Sequence, residues 1–174
     1  MFKWISRLIA LISLGVLFVV MTTAPAMAQH GSVKDASLGA VRIANDRYHS
    51  IHAAEAAGYL PLLKCFDLPG VGGMGQHLVN VDLLNDSVDA MNPEAFVYEI
   101  QSDGTLKLVA VEYIIPFSTA WPATGTAPVL FGQSFTPLPS LGLWALHAWL
   151  WQSNPSGIFA NFNPTVPMCP PGTK

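Results

Sequence analysis

Two apolar runs separated by a short turn constrain the fold of this chain more than any other feature. Residues 94–100 and 106–115 are rich in β-branched and aromatic side chains, and the turn between them contains Asp103-Gly104. Asp-Gly between two such runs is a strong signal for a β-hairpin, because both residues tolerate the left-handed backbone of a tight turn. The sequence therefore predicts an antiparallel sheet.

One main helix is predicted before this hairpin. Apolar residues recur at steps of three and four between residues 38 and 54, which places them on one helical face. Asp35 or Ser37 can cap the start of the helix, which is expected to run to about Ala57, and Gly58 can end it.

Further strand-like runs lie at residues 77–81, 129–131 and 143–151. A loop with four glycines, residues 69–75, precedes the first of them. Residues 143–151 are apolar on both faces, which favours a buried central strand, with a buried helix as the alternative. These elements predict a loop-rich α+β fold in which one main N-terminal helix packs on an antiparallel β-sheet.

The first 28 residues have the pattern of a secretory signal peptide. Lys3 and Arg7 precede an uncharged apolar run at residues 8–20, and Ala26-Met27-Ala28 places small residues where a signal peptidase cleaves. That run is shorter than the roughly 20 residues of a membrane span, although an uncleaved anchor is the alternative. We expect a signal peptide at 1–28 and a single exported domain at 29–174, in the periplasm or outside the cell.

Charge and composition limit the partners of that domain. Without residues 1–28 the chain has six Lys and Arg against eleven Asp and Glu, a formal charge of −5, and no basic cluster. This balance argues against binding to nucleic acid or anionic lipid. No second apolar run of similar length follows, so no transmembrane segment is expected after cleavage. Sparse charge leaves apolar surface that a homo-oligomer could cover.

The two cysteines, Cys65 and Cys169, indicate a disulfide. An even number of cysteines in an exported chain favours pairing, and here only one pairing exists. The bond would close a loop of about 100 residues, which the chain-entropy account associates with about 4–5 kcal/mol of stability. A metal site is the alternative for these cysteines, but no CxxC spacing is present.

Three polar residues lie in unexpectedly apolar surroundings: His77 after the glycine-rich loop, Glu112 inside a strand-like run, and His147 among three tryptophans. A carboxylate buried in such a run costs several kcal/mol unless it is paired, protonated or bound to metal. Strict alternation along the strand places Leu106, Leu108, Ala110 and Ile114 on the same face as Glu112.

We expect His77, Glu112 and His147 to converge on one site. Two histidines and one carboxylate suit a divalent metal ion such as Zn²⁺, Fe(II) or copper. Several alternatives remain. Glu112 could reach water at a sheet edge or pair with Arg42 or Arg47. The histidines could be hydrogen-bonded core residues, or all three could form a metal-free buried hydrogen-bond network that sets the sheet register.

A rival cluster lies on the predicted helix. His49, His52 and Glu55 follow one another at steps of three, so the two histidines share a helical face, but an exposed face is the simpler interpretation. His49 could instead turn toward the sheet as a fourth ligand or a partner of the other ligands. No GxSxG, HExxH or P-loop pattern is present, so the sequence assigns no enzyme class and no substrate or ligand.

Several motifs together resemble a family of exported bacterial proteins of unknown function. They cover most of residues 29–174: Arg47-Tyr48-His49, Ala56-Ala-Gly-Tyr59, Gly73-Met-Gly-Gln-His77 with Asn80, Pro93-Glu94, Val97-Tyr98, residues 106–113, Leu130-Phe-Gly132, Leu146-His-Ala-Trp-Leu-Trp151, Asn154-Pro-Ser-Gly157 and Asn163-Pro164. Segments 36–45 and 118–127 do not carry the resemblance. The family pattern includes His77, Glu112, His147 and both cysteines. The resemblance implies an exported domain and assigns no activity.

Overall fold

The computed structural model describes residues 33–173, and the predicted signal peptide at residues 1–28 lies outside them. The strands of the described part are β1 (Val33–Lys34), β2 (Phe66–Leu68), β3 (Gly72–Val79), β4 (Val88–Asp89), β5 (Ala95–Ile100), β6 (Leu106–Pro116), β7 (Val129–Leu130), β8 (Gln133–Ser134), β9 (Thr136–Leu138) and β10 (Leu143–Ala148). The helices are α1 (Leu38–Asn45) and α2 (Ile51–Ala56), with 3-10 turns at Asp46–His49 and Val81–Leu83.

A curled antiparallel sheet dominates the described residues. Its six strands are ordered β2-β3-β5-β6-β10-β9, and each neighbouring pair is antiparallel. Strands β1 and β4 form a short parallel pair, and β7 and β8 a short antiparallel one. The predicted hairpin is confirmed as β5 and β6, with Gly104 at φ +83° in its turn. The α+β class is also confirmed.

The predicted helix is present but does not continue to Ala57 as one unit. The Ser37 side chain accepts a hydrogen bond from the Ala40 amide and caps α1, which passes into the 3-10 turn at Asp46–His49. Ser50 then adopts an extended backbone and caps α2 through its hydroxyl. A serine that can bond its own backbone nearby favours such a break, which the apolar periodicity alone does not reveal.

The helical segment packs on one face of the sheet through buried aromatic residues. Tyr48 lies against Phe96 of β5, with ring centroids 4.4 Å apart. The hydroxyl of Tyr98 donates a hydrogen bond to the backbone oxygen of Tyr48 at 2.7 Å. Helix and sheet therefore share a common core, as expected. None of the helices in residues 33–173 has both the length and the apolarity to cross a membrane.

A β-bulge in β6 changes which residues share a face with Glu112. Val97 is opposite Ala110 but Tyr98 is opposite Leu108, so Val109 is an additional residue in β6. Leu108 therefore packs in the helix-facing core, whereas Val109 and Ala110 pack together on the other side of the sheet. The expectation from strict alternation that Leu106 and Leu108 share a face with Glu112 is wrong, because the bulge reverses the order.

The predicted disulfide between Cys65 and Cys169 is present and anchors the C-terminal coil beside β2 and β3. Asp67 of β2 accepts a hydrogen bond from the Cys169 amide at 2.7 Å. The backbone of Asn163 forms a bridge with Gly73 of β3. A side chain at Gly73 would meet the Pro167 carbonyl oxygen at 2.3 Å, so glycine is what allows this close approach.

Candidate functional site

The sheet brings His77, Glu112 and His147 together. His147 on β10 is directly opposite Glu112 on the adjacent strand β6. His77 lies on β3, which is separated from β6 by β5. The glycine-rich segment that was expected to be a loop before His77 belongs largely to β3, since that strand begins at Gly72. All three side chains are buried.

Small side chains make this convergence possible. On β5, Val97 is opposite His77 and Ala95 is opposite Glu112. Because adjacent strands lie about 4.8 Å apart, the backbones of β3 and β6 are separated by about 10 Å, and their side chains must reach across β5. Ala95 is a small buried residue on that intervening strand, and the curl of the sheet brings the side chains of β3 and β6 closer together.

The reactive atoms of the three side chains face one another. His77 Nε2 is 3.3 Å from His147 Nε2 and 3.4 Å from Glu112 Oε2. His147 Nε2 is 3.5 Å from Glu112 Oε1, so the carboxyl group presents one oxygen to each imidazole ring. The pairing of Glu112 with an arginine, considered from the sequence, is not what the structure shows. Its partners are the two histidines.

These separations are compatible with a shared ion and with long hydrogen bonds. Hydrogen bonds between such groups usually have heavy-atom distances of about 2.7–3.2 Å. In a tetrahedral zinc site the ligand atoms lie about 2.0–2.2 Å from the metal, which places any two of them about 3.3–3.6 Å apart. Among residues 33–173 the cluster is the one group of three or more His, Cys, Asp or Glu with metal-binding spacing.

Burial makes the uncharged form of each residue favourable. Loss of hydration lowers the pKa of His77 to about 4, while a contact with the backbone of Gly75 opposes the shift. Loss of hydration, together with the nearby His77, lowers the pKa of His147 to about 3. The same effect raises the pKa of Glu112 to about 8. Near pH 7 both imidazoles are therefore neutral and ready to donate a lone pair, whereas the Glu112 carboxyl must lose a proton to bind a cation.

The outer ring nitrogens have no hydrogen-bond partner of good geometry. Nδ1 of His77 and Nδ1 of His147 are both buried and unpaired. Each Nε2 points into the cluster, so an ion on Nε2 would place the ring proton on Nδ1. The rings are instead held by aromatic contacts, with Phe66 edge-on to His77 at 5.7 Å and Trp149 stacked on His147 at 6.4 Å between centroids.

An apolar pocket of about 210 Å³ leads to the cluster. The three residues lie along its wall, and most of the remaining lining is apolar, including Leu63, Phe66, Met74, Leu138, Leu141 and Phe162. The C-terminal coil and the turn between β9 and β10 supply part of this lining. These pocket residues were not predicted from the sequence, because most of them come from separate segments without a common local pattern.

The helical histidines do not join the cluster. His49 pairs with Asp46, with 3.4 Å between Nε2 and Oδ1, and its ring meets the edge of Trp151. His52 is exposed and lies 3.7 Å from Glu55. The expectation that His49 could act as a fourth ligand is therefore not supported, because its side chain is engaged at the helix. The rival set of His49, His52 and Glu55 likewise forms separate local pairs.

Glu94 carries a buried carboxyl group that was missed in the sequence. Glu94 is only 2% exposed, and its Oε2 accepts a hydrogen bond from the Ile114 amide at 3.0 Å. Loss of hydration is the main cause that raises its pKa to about 8, and the nearby Asp89 and Glu112 contribute. Its position directly before the uncharged apolar run 95–98 was the signal that could have identified it.

Comparison with known proteins adds no functional assignment. No protein-family model, curated protein or solved structure matches this chain. The resemblance to exported bacterial proteins therefore stays a prediction from motifs. The described residues show a buried His77, Glu112 and His147 cluster, beside an apolar pocket, whose chemistry is compatible with metal binding or with a hydrogen-bond network.

Proposed function

We propose that this chain is a small exported domain that binds a divalent metal ion through His77, Glu112 and His147. The observation that carries the proposal is the set of separations among their facing atoms, 3.3, 3.4 and 3.5 Å. These values match the spacing of ligands around a tetrahedral ion and exceed normal hydrogen-bond lengths. An ion would also compensate for burying a carboxylate away from water.

The donor set restricts the metal. Two neutral imidazoles and one carboxylate suit Zn²⁺, Fe(II) or copper better than calcium or magnesium, which prefer oxygen ligands. Three protein ligands leave at least one coordination position for water or another molecule, as in catalytic rather than structural zinc sites. The apolar pocket is lined in part by the same three residues. The cluster and the pocket together thus have the features of a site that binds a small ligand at a metal ion.

Export is supported by the cysteines and the N-terminal pattern. The Cys65–Cys169 bond is of the kind that persists in oxidising compartments. The signal-peptide pattern of residues 1–28 and the motif resemblance to exported bacterial proteins agree with this location. Recovery of a periplasmic or secreted protein that begins at Gln29 would test the export part of the proposal separately from metal binding.

The metal part is tested by elemental analysis of the protein purified from an oxidising compartment, before and after dialysis against zinc. We expect about one equivalent of metal per chain, and its loss in His147→Ala. The control is His52→Ala, because His52 is fully exposed on α2 and pairs only with Glu55. Circular dichroism of each variant separates loss of the site from loss of the fold.

A hydrogen-bond network is the competing function of the cluster. The raised pKa of Glu112 keeps a proton on its carboxyl, which could donate to one imidazole while accepting from the other. A folded wild-type protein that remains free of zinc, iron and copper after dialysis would favour this structural role and overturn the proposed metal site.

A further inference from the structure

The pocket beside the cluster has an unusual combination of properties. It is apolar along most of its lining, yet one part of its wall carries two imidazoles and a carboxyl group. Among the described residues that line it, Thr136 and Asn161 are the polar side chains besides those three. A fully hydrated polar molecule would lose hydrogen bonds with water on entering and find few replacements. The occupant must therefore have a mostly apolar body.

Charge balance specifies the other end of the occupant. A divalent ion held by two neutral histidines and one ionised glutamate has a net charge of +1. That charge would lie at buried residues where water is largely excluded. A ligand with a single negative charge at the ion neutralises it, whereas a neutral ligand leaves it uncompensated and a dianion reverses it. The chemistry therefore favours one anionic group directed at the metal.

Pocket size limits the apolar body. A cavity of about 150 Å³ lined by aliphatic and aromatic side chains is large enough to bind benzene. The present pocket, of about 210 Å³, has room for one ring or a short branched chain together with a small anionic group. The exposed Leu141 in the turn between β9 and β10 extends the apolar surface to the outside.

We propose that the metal-loaded pocket binds a small monoanion with an apolar body, such as an aromatic or short branched carboxylate, with the carboxylate on the ion and the body against Phe66, Met74 and Leu141. This inference rests on the proposed metal site. It assigns the class of ligand that completes the coordination, since the anionic group fills the remaining position and the body displaces water from the apolar lining.

Benzoate is a suitable probe. Acetate, which has the carboxylate without the ring, and toluene, which has the ring without the carboxylate, are its comparisons. Calorimetric titration of the full chain, first with zinc and then with each probe, tests the inference. We expect benzoate to bind the zinc-loaded protein at least tenfold more tightly than the metal-free protein. Acetate should bind the zinc-loaded protein at least tenfold more weakly than benzoate does. The affinity for toluene should be the same with and without zinc.

A matched pair of variants locates the ligand. Leu141→Asp places a negative charge at the pocket and should weaken benzoate binding at least tenfold while zinc still binds. Val71→Asp is the control, because Val71 has nearly the same exposure, 46% against 49%, and lies outside the pocket lining. Retained zinc binding shows that both variants are folded.

The two proposals fail in different ways. Zinc binding without a preference for benzoate over acetate, or with equal loss of benzoate binding in both variants, overturns the ligand class and leaves the metal site intact. Absence of zinc binding by the wild-type protein overturns both proposals.

Discussion

Glu112 lies directly opposite His147 on the neighbouring antiparallel strand, with Oε1 of the carboxyl 3.5 Å from Nε2 of the ring. Directly opposed side chains in a sheet start about 5 Å apart at Cβ, so strand register alone places this pair in contact. His77 is different, because it reaches the pair from the far side of β5. The cluster is thus a cross-strand pair of Glu112 and His147. The third residue, His77, reaches this pair only because the sheet is curled.

Replacing Glu112 separates the metal site from a purely structural network. In the metal-free protein, Glu112→Gln should change the free energy of unfolding by less than about 1 kcal/mol, because the raised pKa already keeps the carboxyl neutral near pH 7. Zinc at 100 times its dissociation constant should stabilise the wild type by about 2.7 kcal/mol and the variant much less. Thermal and denaturant unfolding with and without zinc measure both effects.

Glu55→Gln is the control for this variant, since Glu55 lies on α2 away from the cluster. It should keep the full stabilisation by zinc. Equal stabilisation of Glu112→Gln and wild type would contradict a role for the carboxylate as a ligand.

The stability of the metal-free protein should fall as pH rises from about 6.5 to 8. Glu94 and Glu112 have pKa values raised to about 8 in the folded state, so their stabilising protonated form is lost as pH approaches that value. The pKa values of His77 and His147 are lowered, so these rings are neutral in both states above about pH 6.5 and do not offset the loss. Each carboxyl contributes about 1 kcal/mol per pH unit.

Denaturant unfolding in the presence of a chelator, at half-unit steps of pH, measures this slope. Glu94→Gln should reduce the slope by about half, because one of the two titrating carboxyls is removed. A stability that rises between pH 6.5 and 8 would be incompatible with two protonated buried carboxyls.

Replacing two glycines by alanine tests the close backbone contact between β3 and β5. Gly75 has φ +112°, and a Cβ there would lie 2.5 Å from the Tyr98 carbonyl oxygen. Gly104 in the hairpin turn also has positive φ, but a Cβ there would meet nothing within 4 Å. We expect Gly104→Ala to cost about 1 kcal/mol from backbone strain alone. Gly75→Ala should cost about 1–3 kcal/mol more, because the steric clash adds to the strain.

Unfolding free energies of the two variants provide the comparison. Gly75→Ala should also weaken zinc binding, since Gly75 lies two residues before His77 in the same strand. Equal costs for the two substitutions would show that β3 can move away from β5 without penalty.

Removing the disulfide should destabilise the fold substantially. Cys65 and Cys169 are 104 residues apart, and loops of about that length correspond to about 4–5 kcal/mol in the chain-entropy account. The double substitution Cys65→Ser with Cys169→Ser should lower the free energy of unfolding by about 2–5 kcal/mol. Treatment with a reductant should lower the stability of the wild type in the same way and leave the double variant unchanged. A loss below about 1 kcal/mol would mean that other contacts hold the C-terminal coil.

Local patterns were sufficient for the main elements and for identifying the three polar residues that the fold brings together. Asp103-Gly104 predicted the hairpin, and the cost of burying a carboxylate pointed from Glu112 to polar partners on other strands. His77 and His147 lie in apolar stretches, whereas His49 and His52 lie in the predicted helix. Convergence of the first two with Glu112 was one of several alternatives left open by the sequence, and the strand order of the sheet brings the three together.

Features that depend on tertiary contacts were not predicted. The bulge at Val109 arises from pairing between β5 and β6, and nothing in the residues near it distinguishes it from regular alternation. The division of the helix at Ser50 is local in origin, but the apolar periodicity continues across it and does not reveal the break. The pocket lining combines Phe66, Leu141 and Phe162 from three distant segments, so no local pattern could identify it.

Ala95 has a consequence for how this site could be recognised in other sequences. Its methyl group is the smallest side chain that an L-residue can place opposite Glu112 on the strand separating β3 from β6. A leucine or phenylalanine at that position would occupy the space over β5 in which the side chains of β3 and β6 approach each other. A related chain could therefore conserve both histidines and the glutamate and still be unable to bring them together. Any search signature for this cluster should include the alanine as well as His77, Glu112 and His147.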